Sequence, residues 1–470
     1  MSSFSLTIGG RAVPAARELD VLNPFDESLA GRCPEATLEH VDQAVRCARE
    51  ALPGWSSAPD AERVAKLMEV AALIERHQAE LSRLVTLEQG KPQSGPGAGF
   101  EVAGAVGWTR ATASLSLPEE TIQNDGSGHI VMRRKPVGVV GSITPWNWPL
   151  LIATWHLMPA VRVGCTIVIK PSPFTPLSTL RLVQLMNEVL PPGVVNVVTG
   201  GVEVGTRLTD HPGVDKLVFT GSIATGKKVM ESASRSLKRV TLELGGNDAG
   251  VILPGTKLEP LLEKLFWGCF INAGQTCAAL KRLYVHESQY PEVVEQLAAY
   301  VEKIPVGNGL EPQTLIGPVS NRTQLDKVMG LVADARSQGA RIVTGGQKPE
   351  GRGFLYPLTV IAEATDEMRV VKEEQFGPVI PLIRYRTVDE AIGRANALEV
   401  GLGGSVWGDD PEAAAKYAER LECGTAWVNQ HGAINPMTPF GGVKCSGIGV
   451  EFSIDGLKEY TTVQVLNVAR

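Results

Sequence analysis

The fold is decided by the stretch that runs from Val137-Gly-Val-Val-Gly-Ser-Ile143 to Arg239-Val-Thr-Leu-Glu-Leu244. It alternates short β-branched runs with segments of helical period. The predicted strands are 137–143, 166–170, 194–198, 216–220 and 239–244, and the predicted helices between them are 177–190, 202–210 and 222–234. Strands that alternate with helices predict a parallel, doubly wound sheet. The alternation starts again after residue 245, so we expect an α/β chain with two such units.

Two segments outside these units are typical of isolated strands. Residues 119–134 have no helical period and contain the turn signal Asn124-Asp125-Gly126. Residues 458–468 alternate in the manner of a strand. A protruding ribbon and a terminal strand suit subunit pairing by edge addition. We therefore expect oligomerisation segments at 118–136 and 451–470, beside α/β units formed by 1–117 with 137–243 and by 244–450.

The composition excludes several classes of protein. A chain of 470 residues with 43% hydrophobic and 20% charged residues is typical of a folded protein of two or three domains. The net charge of −6, with scattered basic residues, favours no nucleic-acid partner. Without a long apolar run or a signal-like N-terminus, we expect no membrane span and no secretion. The seven cysteines are widely spaced, which favours reduced thiols in the cytoplasm over disulfides or a metal site.

Cys277 and Glu243 are the most informative pair of residues. Cys277 ends the run Asn272-Ala-Gly-Gln-Thr-Cys277, and Glu243 lies in Leu242-Glu-Leu-Gly-Gly-Asn247. A thiolate attacks carbonyl carbons, and a carboxylate can activate the water that releases an acyl intermediate. Free cysteines are more often small buried hydrophobes, and that is our interpretation of the other six.

Two strand ends are candidate nucleotide sites. Gly221 permits close backbone approach, and Ser222 begins a helix whose free N–H groups favour a pyrophosphate. The spacing Gly-x-x-x-x-Gly is equally typical of an ordinary capped helix. Lys170 ends a strand before a proline-rich turn and can reach a ribose hydroxyl or a phosphate; the alternative is a solvated lysine.

Several segments, in order, resemble the signature segments of the aldehyde dehydrogenase superfamily. They are the Glu243 and Cys277 runs together with Pro145-Trp-Asn-Trp-Pro149, Glu373-Glu-Gln-Phe-Gly-Pro378 and Pro439-Phe-Gly-Gly-Val-Lys-Cys-Ser-Gly447. The resemblance covers roughly residues 20–465 and implies two Rossmann-like domains, NAD(P)-binding (1–117 and 137–243) and catalytic (244–450). It also implies a homodimer or homotetramer.

The resemblance implies oxidation of an aldehyde to a carboxylic acid. Cys277 would form a thiohemiacetal whose oxyanion is stabilised by Asn147, hydride would leave for the nicotinamide, and Glu243 would activate water to hydrolyse the thioester. Glu451 lies where several members have a glutamate proposed to relay protons. A coenzyme A-acylating semialdehyde dehydrogenase and a non-catalytic protein with this fold are the alternatives; the intact Glu243 and Cys277 disfavour them.

Cofactor contacts are implied by the same resemblance. Glu374 would hold the nicotinamide ribose, and Phe376 would lie against the nicotinamide. Many members carry a ribose-binding glutamate where this chain has Pro173, and no added arginine at this turn would bind a 2′-phosphate, so we expect NAD with NADP tolerated. The implied cofactor positions are Ile143, Thr144, Pro145, Trp146, Lys170, Ser172, Pro173, Gly205, Phe219, Gly221, Ser222, Thr225, Leu244, Gly245, Glu374 and Phe376.

The implied substrate pocket is mostly apolar. Its positions are Trp148, Ile152, Trp155, Ile271, Thr276, Ala278, Ile434 and Phe440. Thr276 is uncharged, whereas an arginine beside the cysteine is one way in which members hold anionic aldehydes. Because apolar pockets discriminate poorly between similar substrates, we expect a broad enzyme for uncharged aliphatic or aromatic aldehydes, with no metal.

Overall fold

The computed structural model describes residues 4–470. Within them, one large sheet has eight strands, and its central five are parallel. In spatial order the strands are Arg11–Val13, Leu6–Ile8, Val195–Val197, Thr166–Lys170, Val139–Ile143, Lys216–Thr220, Arg239–Glu243 and Gly447–Ile448. The chain moves outward from Val139–Ile143 in one direction and then returns to its other side with Lys216–Thr220. The crevice between these two strands is therefore the topological switch point, where doubly wound sheets bind ligands.

Helices cover this sheet and carry its core. They are Leu38–Ser57, Asp60–Arg76, Gln78–Gln89, Ala98–Ser114, Pro149–Val163, Leu177–Met186, Val202–Asp210 and Ile223–Ser234. Apolar side chains of the strands pack against them in two buried clusters. The predicted helix 177–190 ends at Met186, because the chain turns there toward Pro191.

A second sheet has seven strands among the described residues, and all of its neighbours except one edge pair are parallel. Its order is Arg341–Thr344, Thr359–Ala364, Val379–Tyr385, Leu280–His286, Asp248–Ile252, Gly403–Trp407 and Thr425–Val428. Its α-helices, with the last helix of the chain, are Leu262–Phe270, Tyr290–Val301, Arg322–Ser337, Arg369–Lys372, Val388–Asn396, Pro411–Ala418 and Ser453–Lys458. Short 3-10 turns occupy Glu259–Leu261 and Ile271–Gly274. The predicted pair of doubly wound α/β units is confirmed.

The predicted ribbon forms a separate antiparallel sheet. Strands Glu120–Asp125 and Gly128–Pro136 form a hairpin, and Thr461–Ala469 pairs along the whole second strand. Minor pairs join Glu18–Leu22 to Leu29–Pro34 and Val400–Gly401 to Val443–Lys444. Over residues 4–470, no helix has the length and apolar character that crossing a bilayer requires.

Candidate active site

The candidate site lies at the switch point of the first sheet, facing the second. Asn147 follows the strand Val139–Ile143, Glu243 ends Arg239–Glu243, and Cys277 precedes the second-sheet strand Leu280–His286. All three line one cavity of about 160 Å³. The fold therefore brings together residues that are far apart in the sequence.

The turn before Cys277 is held in an unusual backbone conformation. Asn272 and Ala273 have φ values of 52° and 55°, in the left-handed region that disfavours residues with a Cβ. The Gln275 side chain fixes the turn, because its amide donates to the Asn272 carbonyl at 2.9 Å and its oxygen accepts from the Ser320 N–H at 2.8 Å. Cys277 therefore follows a turn that is fixed by hydrogen bonds, and its side chain is half-buried.

Two hydrogen bonds tie the loop of Asn147 to the cysteine turn. The Asn147 amide nitrogen donates to the Gln275 carbonyl at 3.0 Å, and the Trp148 indole donates to the Thr276 hydroxyl at 3.0 Å. An amide nitrogen has two hydrogens, so Asn147 keeps one for a second acceptor. This is the arrangement that an oxyanion-stabilising amide needs.

A buried ion pair that the sequence analysis missed supports the Asn147 loop. Lys91 Nζ lies 2.5 Å from Glu101 Oε2 and donates to the Asn147 carbonyl at 2.8 Å. The other Glu101 oxygen accepts the N–H groups of Leu150 and Leu151 at the start of the following helix. No spacing in the sequence links Lys91 or Glu101 to Asn147.

Burial controls the protonation of Cys277. It raises the pKa of the Cys277 thiol to about 12; Lys281 opposes this shift, whereas Glu243, Glu374 and Asp248 add to it. A neutral thiol is a weak nucleophile, so the reaction needs a base or a change in the surroundings of Cys277 when ligands bind.

Glu243 is a candidate for that base. It is buried, and neither of its carboxylate oxygens has a hydrogen-bond partner among the described residues. Burial raises its pKa well above the usual value for a carboxyl group, and the charge of Glu451 raises it further. A carboxylate with a raised pKa is a stronger base than an ordinary carboxylate, so Glu243 is suited to accept a proton when it is ionised.

Glu451 lies next to a histidine that the sequence analysis also missed. His156 Nε2 is 3.1 Å from Glu451 Oε1 and 3.0 Å from Thr220 Oγ1, and His156 Nδ1 is 2.8 Å from Ser142 Oγ. His156 and Glu451 are buried. His156 directly follows the pocket residue Trp155, and this adjacency was the only signal in the sequence.

Most of the predicted cofactor residues line one of two cavities. Lining the first cavity are Pro145, Trp146, Gly221, Ser222, Leu244, Gly245, Glu374 and Phe376. Lining a second cavity of about 420 Å³ are Ile143, Lys170, Pro173, Gly205, Phe219 and Thr225. Thr144 and Ser172 line neither cavity. They hold the adjoining turns, since the Thr144 N–H donates to the Lys170 carbonyl at 3.1 Å and the Phe174 N–H donates to Ser172 Oγ at 3.3 Å.

The helix that begins after Ser222 is shaped to receive an anion. Ser222 Oγ accepts from the Thr225 N–H at 3.3 Å and caps the helix Ile223–Ser234, whose free N–H groups favour negative charge. Burial lowers the pKa of Lys170 in the second cavity to about 8. That cavity also contains Lys228 and Arg235, which the sequence analysis missed.

A third cavity, of about 370 Å³, meets the first at Cys277. All of the predicted substrate positions line it: Trp148, Ile152, Trp155, Ile271, Thr276, Ala278, Ile434 and Phe440. Its other lining residues are Phe100, Gly104, Trp108, Leu151, Trp267, Gly268, His431, Gly432 and Ala433. Among these described residues there is no aspartate, glutamate, lysine or arginine. This third cavity is an apolar channel, and Cys277 lies where the channel meets the first cavity.

Comparisons with known proteins agree with this architecture. The model of the "Aldehyde dehydrogenase family" matches residues 12–466. The chain is 40% identical over 467 residues to the putative aldehyde dehydrogenase DhaS of Bacillus subtilis, covering 98% of this chain and 94% of that protein. It is 38% identical over 480 residues to betaine aldehyde dehydrogenase 1 of Oryza sativa, with coverage of 98% and 94%.

Solved structures give the same result. The betaine aldehyde dehydrogenase of Staphylococcus aureus in complex with NAD+ superposes with a TM-score of 0.96 at 34% identity, covering 99% of this chain and 95% of that one. The NAD+ complex of the aldehyde dehydrogenase of Bacillus cereus gives 0.97 at 35% identity, with coverage of 100% and 97%. The chain belongs to the aldehyde dehydrogenase family and is an NAD(P)-dependent aldehyde dehydrogenase.

Proposed function

We propose that this aldehyde dehydrogenase oxidises uncharged aliphatic or aromatic aldehydes to carboxylic acids, with water rather than coenzyme A as the acyl acceptor. The observation that carries the proposal is the position of Cys277, at the inner end of a channel lined without charged side chains and across a cavity from the unpartnered carboxyl of Glu243. An apolar channel favours apolar substrates and disfavours ions that would lose their hydration.

In the proposed reaction, Glu243 takes the Cys277 thiol proton and passes it to solvent, the thiolate Sγ bonds to the aldehyde carbon, and the π electron pair of the C=O bond moves to the oxygen to form an oxyanion. The free N–H of the Asn147 amide donates to that oxyanion. A bound nicotinamide supplies the hydride acceptor, and loss of hydride leaves an acyl thioester on Cys277. Glu243 then takes a proton from water as the water oxygen attacks the thioester, and the acid departs from a regenerated thiol.

The residues present fit a dinucleotide. The capped helix that follows Ser222 suits a pyrophosphate, and Lys170 lies where it can meet the adenine ribose. The Glu374 carboxylate lies close to the place that a Cβ on Gly245 would occupy. We propose that Glu374 binds the nicotinamide ribose and that Phe376 lies against the nicotinamide.

The substrate class is tested by kcat/KM for a panel of aldehydes. Hexanal and benzaldehyde are expected to exceed succinate semialdehyde and glyceraldehyde 3-phosphate by about 100-fold or more, because an anion in the channel loses hydration without a paired charge. Betaine aldehyde belongs in the panel, because the tryptophans of the channel could attract a quaternary ammonium. A preference for either anion would overturn the proposal, and a preference for betaine aldehyde would replace it with a cation-specific function.

The cofactor preference is proposed to be NAD with NADP tolerated. Pro173 supplies no carboxylate to repel a 2′-phosphate. The same cavity is lined by Lys228 and by Arg235, which lies beside the Asp210 and Glu231 carboxylates. The Pro173→Glu variant is expected to raise the NAD-to-NADP ratio of kcat/KM about tenfold or more through charge repulsion. Pro173→Gln, of similar size and uncharged, is the control. An equal change in both variants would assign the effect to shape rather than charge.

Glu451 is proposed to act on the general base, and its role predicts a pH effect. Its negative charge raises the pKa of Glu243, and His156 and Cys277 are the other titratable groups of this cluster. Glu243 works when deprotonated, so Glu451→Gln should lower its pKa and move the acidic limb of the pH profile of thioester hydrolysis to lower pH.

The measurement is the rate of acyl-enzyme hydrolysis against pH. Glu459→Gln is the control, because that carboxylate is nearby and partly exposed, beside Lys216. An unmoved limb in Glu451→Gln would show that Glu451 does not set the protonation of Glu243. A lower rate at every pH, in addition to the shift, would support proton relay through Glu451.

The assembly is proposed to be a homodimer or homotetramer formed through the ribbon and the C-terminal strand. Apolar side chains of this sheet face outward, with Ile122 61% and Val465 59% exposed. Exposed apolar strands commonly mark interfaces. A monomeric mass in sedimentation would contradict this assembly.

A cytoplasmic location is also proposed, since all seven cysteines are free thiols. Detection of a tagged protein outside the cell would contradict it.

A further inference from the structure

A buried lysine lies between the nucleophile and the proposed cofactor-binding carboxylate. Lys281 belongs to the strand Leu280–His286, and its side chain is only 3% exposed. Its Nζ donates to the Cys277 carbonyl at 2.5 Å and lies 3.2 Å from Glu374 Oε1. The same Glu374 oxygen accepts the Gly246 N–H at 3.2 Å. Lys281 therefore contacts both halves of the site.

An ammonium in this position needs a reason. Burying a charge is costly even when it is paired, and apolar residues can often replace a buried ion pair without loss of stability. The Cys277 carbonyl, with the Ala279 carbonyl at 3.4 Å and the Glu374 carboxylate, satisfies the ammonium. Two of these three partners belong to Cys277 and Glu374, the residues whose placement matters for the proposed reaction.

We infer that Lys281 is a positioning residue, which holds Glu374 in place for the cofactor and stabilises the thiolate form of Cys277 by its positive charge. The role rests on the proposed function, in which Cys277 is the nucleophile and Glu374 a cofactor ligand.

The charges around Cys277 support this role. Glu243, Glu374 and Asp248 oppose ionisation of the thiol, whereas Lys281 is the cation that favours it. Lys327 lines the same cavity and acts on Glu374, but it does not contact the cysteine turn through any described hydrogen bond. Removal of the Lys281 charge should therefore lower the fraction of Cys277 that is ionised at a given pH. Removal of the Lys327 charge should leave this fraction unchanged.

The test is the pH dependence of Cys277 alkylation by iodoacetamide without cofactor, followed by mass spectrometry of the Cys277 peptide. In Lys281→Met the midpoint is expected to move to higher pH, with alkylation at a fixed pH below the midpoint about tenfold slower. Lys281→Arg should restore most of the rate because the charge is kept. Lys327→Met, which also removes one positive charge, should leave the midpoint in place.

Glu374→Gln gives a second test of opposite sign. It removes a negative charge that opposes ionisation of Cys277, so alkylation should become faster and the midpoint should move to lower pH. This variant keeps Lys281 and is informative even if Lys281→Met does not fold. In steady-state kinetics, Lys281→Met is expected to raise KM for NAD about tenfold, because Glu374 loses its ion pair with Lys281.

An unchanged midpoint in a folded Lys281→Met would overturn the inference, as would a shift to higher pH in Glu374→Gln. These outcomes are separate from failure of the proposed function. If the wild-type protein oxidised no aldehyde, the proposed function would fail, while the alkylation profiles would still decide whether Lys281 stabilises the thiolate.

Discussion

Replacing Cys277 with alanine is expected to lower kcat for aldehyde oxidation by at least about 10⁴-fold, because no other group can form the covalent intermediate. Cys277 is the cysteine that lies where the apolar channel meets the cavity with Glu243 and Glu374. The change removes one sulfur atom from a half-buried position, so the fold and cofactor affinity should be retained. The measurements are NADH formation and binding of NAD.

Cys269→Ala is the matched control for this variant. Cys269 lies in the preceding helix Leu262–Phe270, is 2% exposed and lines neither cavity. Its substitution is expected to lower stability by about 1 kcal/mol through lost packing and to leave kcat within a few-fold of wild type. If Cys277→Ala kept a tenth of the activity, or if Cys269→Ala were the inactive variant, the nucleophile would be wrongly assigned.

Replacing Glu243 with glutamine is expected to lower steady-state kcat by about 10² to 10⁴-fold, because water is no longer activated for thioester hydrolysis. Hydride transfer precedes that step, so one NADH per active site should form in a burst before turnover stops. Intact-mass measurement should then detect the acyl group on the protein. The substitution keeps the size of the side chain and removes its charge.

The same variant separates water from coenzyme A as acyl acceptor. If coenzyme A restores turnover to the variant and speeds the wild type, the acylating alternative gains support. Glu88→Gln is the control for replacing a buried carboxyl, since burial raises the pKa of Glu88 to about 8 and its carboxylate accepts the N–H groups of Leu177 and Ser178, away from the site. Glu88→Gln should show no burst of NADH. A burst in this control would mean that the burst in Glu243→Gln is not specific to the loss of Glu243.

The parts of the site that the sequence predicted are those with local signals. The runs around Asn147, Glu243 and Cys277 are short, and their order identified a family whose members share this fold. The strand–helix alternation predicted both sheets, and the lack of a helical period at 119–134 predicted the ribbon. The short edge strands Leu6–Ile8, Arg11–Val13 and Gly447–Ile448 were not predicted. Among the predicted elements the errors fell at the ends, since the helix predicted at 177–190 already ends at Met186.

The missed residues act through long-range contacts that no local pattern encodes. Lys91, which follows the helix Gln78–Gln89, pairs with Glu101 in the helix Ala98–Ser114 and donates to the Asn147 carbonyl. His156 meets Glu451 from a distant part of the chain. Lys281 has no local signal of this kind either, because its contacts with the Cys277 carbonyl and the Glu374 carboxylate depend on the folded chain. Burial and pairing decide what a charged side chain does, and both depend on the folded chain.

The central claim is that Cys277 carries an acyl group which water removes. The most direct measurement is the stoichiometry of carboxylic acid to NADH with hexanal and NAD in the absence of coenzyme A, for the wild type and for Cys277→Ala. We predict one acid per NADH at sustained turnover in the wild type and neither product in the variant. Formation of NADH only after coenzyme A is added, or equal activity in the variant, would contradict the account.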